Sequence, residues 1–319
     1  MDCLIIPDVH LSDRAPSSRR DSWADDVLLK LEWCVEYANG LNLPIVQSGD
    51  MFHLKVPWRT SYGLVQRTHD VLKRAKHGVY VVPGNHDQSN NRLESLDSQP
   101  LGALGRMGGV RLLMGADPDL PGIFGIPYLR EFDGGDWPEA LAPWLSLIEA
   151  HPSELVVTHA PIFPPGQEPG VYASLDTFEW SRLLGEAGVG ATAYGHIHEN
   201  HGQYMVEGHT FCNHGALSRG SLHEETVNRW PTITTWLGGE FAPVALPTSV
   251  VRQPKDVFLF AEAEARASAR SLTEEFTAAL GAVQLQNLTT EEVVAHIRSE
   301  NPSAAVLRMI EECLETAGA

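Results

Sequence analysis

Two kinds of feature are scarce in this sequence, and each scarcity narrows the class of protein. Four of the 319 residues are cysteine, Cys3, Cys34, Cys212 and Cys313, and none forms the Cys-x-x-Cys pair of zinc or redox sites. No apolar run approaches the roughly eighteen residues of a membrane span, and the start lacks the basic and apolar regions of a secretory leader. We therefore expect a cytoplasmic protein with reduced thiols and no membrane contact.

Positive charge is also in short supply. Lysine and arginine number 23 against 41 aspartate and glutamate, giving a net charge of −18, which by itself argues against a polyanionic substrate. Residues 1–111, however, hold 13 charges of each sign, so the excess lies in 112–319. The basic residues that follow the polar motifs of the first part are Arg14, Arg19, Arg20, Lys55, Arg59 and Arg92. They could hold phosphate groups or be solvated loop charges.

Strand and helix patterns alternate along most of the chain. Short apolar runs predict strands, and the runs that precede polar motifs are 4–6, 44–48, 79–82, 155–158 and 191–194. Between them lie helical patterns, the first of which is predicted to end at Asn39-Gly40. This alternation predicts a layered α/β fold, in which ligands gather beyond the carboxyl ends of the strands.

The carboxyl-terminal part has a different texture. Residues 232–236 read as an antiparallel strand, a proline-marked stretch follows at 243–254, and helical patterns with capping signals begin near Ala261. We therefore predict a catalytic domain over 1–248 and a small helical C-terminal region over 255–319.

Five short segments place metal-binding side chains directly after predicted strands. They are Asp8-Val9-His10, Gly49-Asp50, Gly84-Asn85-His86-Asp87, His159 and Gly195-His196-Ile197-His198. Any one of them alone would be an ordinary turn or an incidental histidine. Five in order, at the carboxyl ends of successive strands, predict one shared site.

The residue types in these segments indicate the chemistry. Carboxylates, imidazoles and a carboxamide suit Mn²⁺, Fe²⁺ or Zn²⁺, and seven such ligands are too many for one ion. Two ions bridged by a carboxylate would use them all and form a clamp for displacement at phosphorus. Asp50 is the predicted bridge, because Gly49 lets the backbone approach closely.

Taken together, the five segments resemble the signature of the calcineurin-like metallophosphoesterases over about residues 1–240. That family implies a layered β-sandwich flanked by helices. Within it, Gly49-Asp50-Met51-Phe52-His53 and Pro83 to Asp87 are most similar to the SbcD-type DNA repair nuclease subunits, here in a compact version like those of phages. The Asp-Arg-Gly of the protein phosphatases is absent from the second motif.

The resemblance also implies a role for each site residue. One metal would be held by Asp8, His10, Asp50 and His198, and the other by Asp50, Asn85, His159 and His196. His86 matches the catalytic histidine of the family, and His53 matches a histidine typical of the nuclease branch. A metal-bridging hydroxide would attack the phosphodiester, with Mn²⁺ as the favoured metal and Fe²⁺ or Zn²⁺ as alternatives.

The function expected from this resemblance is DNA cleavage in double-strand-break repair or recombination, with a coiled-coil ATPase subunit of the SbcC type as partner. The helical region 255–319 occupies the position of the partner-binding segment in such subunits. Homodimerisation is left open. Two alternatives also remain, a phosphodiesterase of small molecules such as cyclic nucleotides or nucleotide diphosphates, and a non-catalytic scaffold.

Overall fold

The computed structural model describes residues 1–53, 60–167 and 173–260, and the described part contains twelve strands. The strands are β1 (Cys3–Ile6), β2 (Ile45–Gln47), β3 (Val79–Val81), β4 (Arg111–Leu112), β5 (Gly115–Ala116), β6 (Ile123–Ile126), β7 (Leu155–His159), β8 (Ala191–Gly195), β9 (Asn200–Val206), β10 (His209–His214), β11 (Thr232–Leu237) and β12 (Glu240–Ala245). The strands predicted to precede the motifs are therefore present, with ends that move by at most one residue.

Helices connect most of these strands. In the described residues they are α1 (Trp23–Leu41), α2 (Tyr62–Leu72), α3 (Pro100–Arg106), α4 (Trp137–Ala150), α5 (Thr177–Glu186), α6 (Glu224–Asn228) and α7 (Pro254–Val257), with 3₁₀ segments at Leu93–Ser98 and Arg130–Asp133. Ser61 caps α2, since its hydroxyl accepts the backbone N–H of Leu64 at 3.0 Å.

Two six-stranded sheets carry the fold. The first has the order β12-β11-β1-β2-β3-β4 and the second β5-β6-β7-β8-β10-β9. Four neighbouring strands in each sheet run parallel, namely β1 to β4 in the first and β6, β7, β8 and β10 in the second. Because parallel strands end at the same edge, each sheet delivers several loops to one place.

The core shows that the two sheets face each other. Along β1, Cys3 and Ile5 join a cluster that also contains Leu155 and Val157 of β7, whereas Leu4 packs with the apolar side of α1. Successive side chains of a strand point to opposite faces, so the first sheet is covered by the second sheet on one face and by helices on the other. The predicted layered β-sandwich flanked by helices is confirmed.

Helix α1 ends later than predicted. It continues through Asn39 and Gly40 to Leu41, and Asn42 takes the left-handed conformation with φ of 56°. The backbone N–H of Asn42 bonds back to the carbonyl groups of Ala38 and Asn39. Asn tolerates the left-handed region, so it serves as the stop, and Gly40 is accommodated within the last turn.

Arg19 has a structural position rather than the phosphate-binding one considered from sequence. Its side chain is fully buried and pairs with Asp21 at 2.7 Å and Asp26 at 3.1 Å. Lys30, also buried, lies 2.6 Å from the same oxygen of Asp26. Burial alone would raise the pKa of Asp26, but the charges of Lys30 and Arg19 outweigh it and hold that pKa below its usual value.

The last residues of the compact unit Met1–Phe258 are packed within that unit. Val257 and Phe258 are buried, and the guanidinium of Arg19 lies 5.3 Å from the centroid of the Phe258 ring. The predicted helical region 255–319 lies outside the described residues from 261 onward, so its boundaries stay a prediction. Among the helices of the described residues, none combines the length and apolar character needed to cross a bilayer.

Candidate metal centre

The predicted ligands come from both sheets and meet at one edge. Asp8, Asp50 and Asn85 follow β1, β2 and β3 of the first sheet, while His159 ends β7 and His196 follows β8 of the second. The sandwich therefore assembles the site across the seam between its two sheets. His10 and His198 lie two residues beyond Asp8 and His196 in their loops.

Three of these residues have a strained backbone. His10, Asp50 and His196 have φ values of 54°, 55° and 81°, a region that non-glycine residues seldom occupy. Such conformations cost on the order of 1–3 kcal/mol each and persist only where the surroundings enforce them. Strained residues of this kind cluster at functional sites, so their occurrence at one edge is consistent with a site there.

Glycines beside the ligands allow the loops to approach closely. Gly49 has φ of 110°, and a Cβ built there would overlap the imidazole of His159. A Cβ at Gly195 would overlap the carboxylate of Asp8. The expectation that Gly49 brings the backbone close to the site is thus met, and the same argument applies to Gly195.

The first half of the site joins Asp8, His10, Asp50 and His198. The Nε2 atoms of His10 and His198 are 2.8 Å apart. Oδ2 of Asp8 lies 3.4 Å from Nε2 of His198, and Oδ2 of Asp50 lies 3.7 Å from Nε2 of His10. Asp8, His10 and His198 form one group that could hold an ion, and Asp50 borders this group through His10.

The second half joins Asp50, Asn85, His159 and His196. Oδ1 of Asn85 lies 3.1 Å from Nε2 of His159 and 3.2 Å from Nδ1 of His196. Oδ2 of Asp50 is 3.3 Å from Nε2 of His159, so this one oxygen borders both halves of the site. That position suits a bridging carboxylate, although the ligand roles themselves stay predictions.

The burial of the two carboxylates fits a cationic occupant. Asp8 is 0% and Asp50 1% exposed, and their ion-pair contacts within the described residues are to histidines and not to lysine or arginine. Buried charges in proteins are paired or coordinate metals. The donor set of carboxylate, imidazole and carboxamide matches divalent first-row ions, so the residues present fit two such ions.

Protonation states at the site follow from burial and charge. Burial lowers the pKa of His196 to about 3 and lowers that of His10 as well, which keeps both imidazoles in the neutral form that ligates metals. Burial alone would also lower the pKa of His159, but the carboxylates of Asp50 and Asp8 outweigh it and raise that pKa to about 9. The pull of negative charge on His159 again indicates a place for a cation.

His53 and His86 stand beside the ligands as a pair. Their rings are stacked, with centroids 5.3 Å apart and an interplanar angle of 14°. Nδ1 of His53 lies 3.3 Å from Nδ1 of His10, and the backbone N–H of His86 donates to Oδ1 of Asp50 at 2.8 Å. Both residues predicted as catalytic therefore lie at the site.

Two further residues support the site without having been assigned a role from sequence. The carboxylate of Asp87 accepts backbone N–H groups from Gly84, Met51 and Phe52 at 3.0–3.3 Å. Burial and the charge of Asp50 raise the pKa of Asp87 to about 7. Tyr128 packs its ring on that of His196, with centroids 5.3 Å apart.

Trp23 and Arg229 hold ligand loops through backbone carbonyl groups. The indole N–H of Trp23 donates to the carbonyl of His10 at 2.9 Å, and a terminal nitrogen of Arg229 donates to the carbonyl of His198. Neither residue belongs to a motif, and both act on main-chain atoms. Sequence patterns therefore carry no signal for these roles.

With this geometry described, comparison with known proteins decides the family. The family model described as calcineurin-like phosphoesterase matches residues 1–200. The chain belongs to the calcineurin-like phosphoesterase family. This family is one of metal-dependent phosphoester hydrolases that typically bind two divalent ions, and this member has candidate His and Asp ligand groups. No curated protein matches the chain in sequence.

Several solved structures are similar to this family member. A dimetal phosphatase from Danio rerio is 14% identical, with 77% of this chain and 99% of that chain covered and a TM-score of 0.46. GAP50, the anchor in the inner membrane complex of Plasmodium, is 11% identical, with 78% and 84% covered and a TM-score of 0.46. Vacuolar Protein Sorting 29 from Cryptosporidium parvum is 14% identical, with 77% and 96% covered and a TM-score of 0.32.

Proposed function

We propose that this chain is a metal-dependent phosphodiesterase that cleaves DNA. The observation that carries the proposal is the position of His53, the histidine whose counterpart is typical of the nuclease branch. It lies 3.3 Å from His10 and stacks on His86, so it borders both a predicted metal ligand and the predicted catalytic histidine. A histidine placed there can contact the substrate.

Two ions bound here would activate a water molecule and neutralise the charge that develops at phosphorus. The first would be held by Asp8, His10, Asp50 and His198, and the second by Asp50, Asn85, His159 and His196. Mn²⁺ is the metal we propose, with Fe²⁺ and Zn²⁺ compatible with the same donors.

His86 is suited to proton transfer. Its Nδ1 lies 2.5 Å from the carbonyl oxygen of His53, so Nδ1 carries the hydrogen and Nε2 is the ring atom that can exchange a proton with substrate. In the protonated ring, Nε2–H would donate to the departing ester oxygen. The hydrogen bond to His53 also fixes the orientation of the His86 ring.

Digestion of linear duplex DNA with Mn²⁺, measured beside hydrolysis of bis-p-nitrophenyl phosphate, tests the proposal. We expect both activities, and we expect His53→Ala to lower DNA digestion more than hydrolysis of the small ester. His77→Ala is the matched control, because His77 is exposed and lies in the turn after α2. Hydrolysis of the small ester without DNA digestion would contradict the nuclease proposal, and the absence of both would favour a scaffold.

A second candidate is a phosphodiesterase of small molecules, and the net charge of −18 favours it. So strong a negative charge repels a long polyanion more than a single nucleotide. The same enzyme preparation would be offered a cyclic nucleotide and a nucleotide diphosphate sugar. Turnover of either one, together with intact DNA, would select this candidate.

We also propose that the chain works with a coiled-coil ATPase subunit of the SbcC type through residues 255–319. The support is the position of this segment after the catalytic unit. Because Val257 and Phe258 pack on that unit, the truncation that tests the idea ends after Phe258 rather than at 254. Co-purification with a candidate ATPase should be lost in the truncated chain, and retention would contradict the proposal.

A further inference from the structure

A cavity of about 240 Å³ opens beside the first half of the site. Its lining includes His10, His53 and His198 of the site, together with Trp23, Gly220 and Thr226. Two predicted metal ligands therefore form part of its wall. The part of a substrate next to a phosphate held at the metals would therefore lie in this cavity.

The aromatic wall of the cavity is fixed in place. Trp23 is 3% exposed, and its indole N–H donates to the carbonyl of His10. The guanidinium of Arg19 lies 5.0 Å from the centroid of the indole ring and is itself held by Asp21 and Asp26. The indole ring is therefore held in one orientation before any ligand binds. This reduces the conformational entropy that would be lost on binding.

Gly220 lies beside the edge of this ring. A Cβ built on Gly220 would lie 3.2 Å from Cη2 of Trp23 and 3.5 Å from Cγ of Pro16. The carbonyl of Gly220 accepts the hydroxyl of Ser18 at 2.8 Å, so the backbone is anchored at this distance from the ring. Any other residue would fill space that the glycine leaves to the cavity.

The lining also contains the hydroxyl groups of Ser218, Ser221 and Thr226, together with Pro16 and Arg229. Ser221 is exposed and Thr226, in α6, is half-buried, and both border the cavity. An apolar, aromatic wall with a few hydroxyl groups is the lining of a site for a planar ring that has polar edges. The volume is below the roughly 300–1,000 Å³ of pockets for larger ligands, so it holds one ring system.

We propose that this cavity is a subsite for the nucleobase of the nucleotide whose phosphate lies at the metal centre. The proposal rests on the proposed phosphodiesterase function and makes its substrates nucleotide esters. Trp23, Gly220 and Thr226 are the residues that would contact the base. Because every base has an aromatic face, the subsite would tolerate different bases.

Calorimetric titration of the Mn²⁺-loaded full chain with thymidine 5′-monophosphate and with 2-deoxyribose 5-phosphate tests the subsite. The two ligands share the phosphate and the sugar and differ by the base. Only the nucleotide has a base that can contact Trp23 and the rest of the lining, so we expect it to bind about tenfold more tightly.

Two variants fill part of the cavity, Gly220→Ala beside Trp23 and Thr226→Phe from α6. Each should remove most of the tenfold difference, while the affinity for the sugar phosphate changes by less than about twofold. Gly190→Ala is the matched control, because a Cβ at exposed Gly190 meets no atom within 4 Å. It should keep the full difference.

Equal affinity of the wild-type chain for the two ligands, or no binding of either, would overturn the subsite. So would variants that weaken both ligands to the same extent. Hydrolysis of bis-p-nitrophenyl phosphate is measured separately on the same preparation. Hydrolysis without base discrimination overturns the subsite alone, whereas base discrimination without hydrolysis supports the subsite and contradicts the phosphodiesterase.

Discussion

The carboxylate of Asp87 accepts the backbone N–H of Phe52 at 3.2 Å, so the loop after β3 holds the loop after β2 in place. Asp87→Asn would turn an acceptor into a partial donor facing three N–H groups. Residues that orient metal ligands in this way are worth about 10–100-fold in metal affinity or activity. We expect a loss of that size in Mn²⁺ affinity, measured by calorimetry.

Asp97→Asn is the control for this change, because the side chain of Asp97 is 99% exposed. Mn²⁺ affinity in the control should equal that of the wild type. If Asp87→Asn also kept the wild-type affinity in a folded chain, Asp87 would have no part in positioning the site.

His86→Ala separates catalysis from metal binding. Its side chain is outside both predicted ligand sets, so turnover of bis-p-nitrophenyl phosphate should fall by about 10²–10⁴-fold while the bound metal stays the same. Turnover and metal content by mass spectrometry are measured on the same sample. His77→Ala should change neither quantity, and a parallel loss of metal and turnover in His86→Ala would show a structural role instead.

Substitutions of Asp50 and of His198 should differ in the number of metal ions whose binding they weaken. One oxygen of Asp50 borders both halves of the site, whereas His198 contacts Asp8 and His10 in the first half alone. We expect Asp50→Asn to weaken both ions and His198→Ala to weaken one. Metal stoichiometry after dialysis against dilute Mn²⁺ measures this, and an equal loss in the two variants would argue against the bridge.

The buried cluster of Arg19, Asp26 and Lys30 should contribute to stability. Removing one partner of a buried ion pair typically costs about 3–5 kcal/mol, because the remaining charges stay buried without compensation. We expect Asp26→Asn to lower the free energy of unfolding in urea by about that amount. Asp25→Asn is the control on the neighbouring residue, whose side chain is 54% exposed, and a similar loss there would contradict the argument.

The difference in stability between the wild type and Asp26→Asn should depend on pH. The charges of Lys30 and Arg19 hold the pKa of Asp26 in the folded state below its usual value despite burial. Its stabilising contribution is therefore complete above the unfolded pKa of about 3.9 and is lost as pH falls through the folded pKa. The difference in unfolding free energy between wild type and Asp26→Asn should shrink below about pH 4. A difference that stays constant at acidic pH would contradict this.

The sequence predicted the site residues that follow a recurring pattern, a ligand directly after a buried strand. A buried parallel strand followed by a ligand occurs at Asp8, Asp50 and Asn85, and strand ends of this kind meet at one sheet edge whatever the details. The predicted end of α1 was wrong because Gly40 and Asn42 are both residues that can end a helix. The helix ends at the one that has the left-handed backbone, Asn42.

The supporting residues could not be predicted in the same way. Trp23 and Arg229 contact backbone carbonyl groups of His10 and His198, and such contacts place no requirement on the identity of the partner side chain. Arg19 was considered as a phosphate ligand because it follows the first motif, but it forms an ion pair with buried Asp26. Ligands can thus be predicted from local spacing in the sequence. The residues that support them depend on how distant segments pack, which local spacing does not show.

The left-handed backbone of His10, Asp50 and His196 has a consequence for anyone who engineers this chain. Glycine or asparagine would relieve the strain at each position, so selection for thermal tolerance alone would replace the residues that the chemistry needs. Libraries screened for heat resistance should therefore enrich folded chains without catalytic ability. These three positions must be held constant when robustness is the goal.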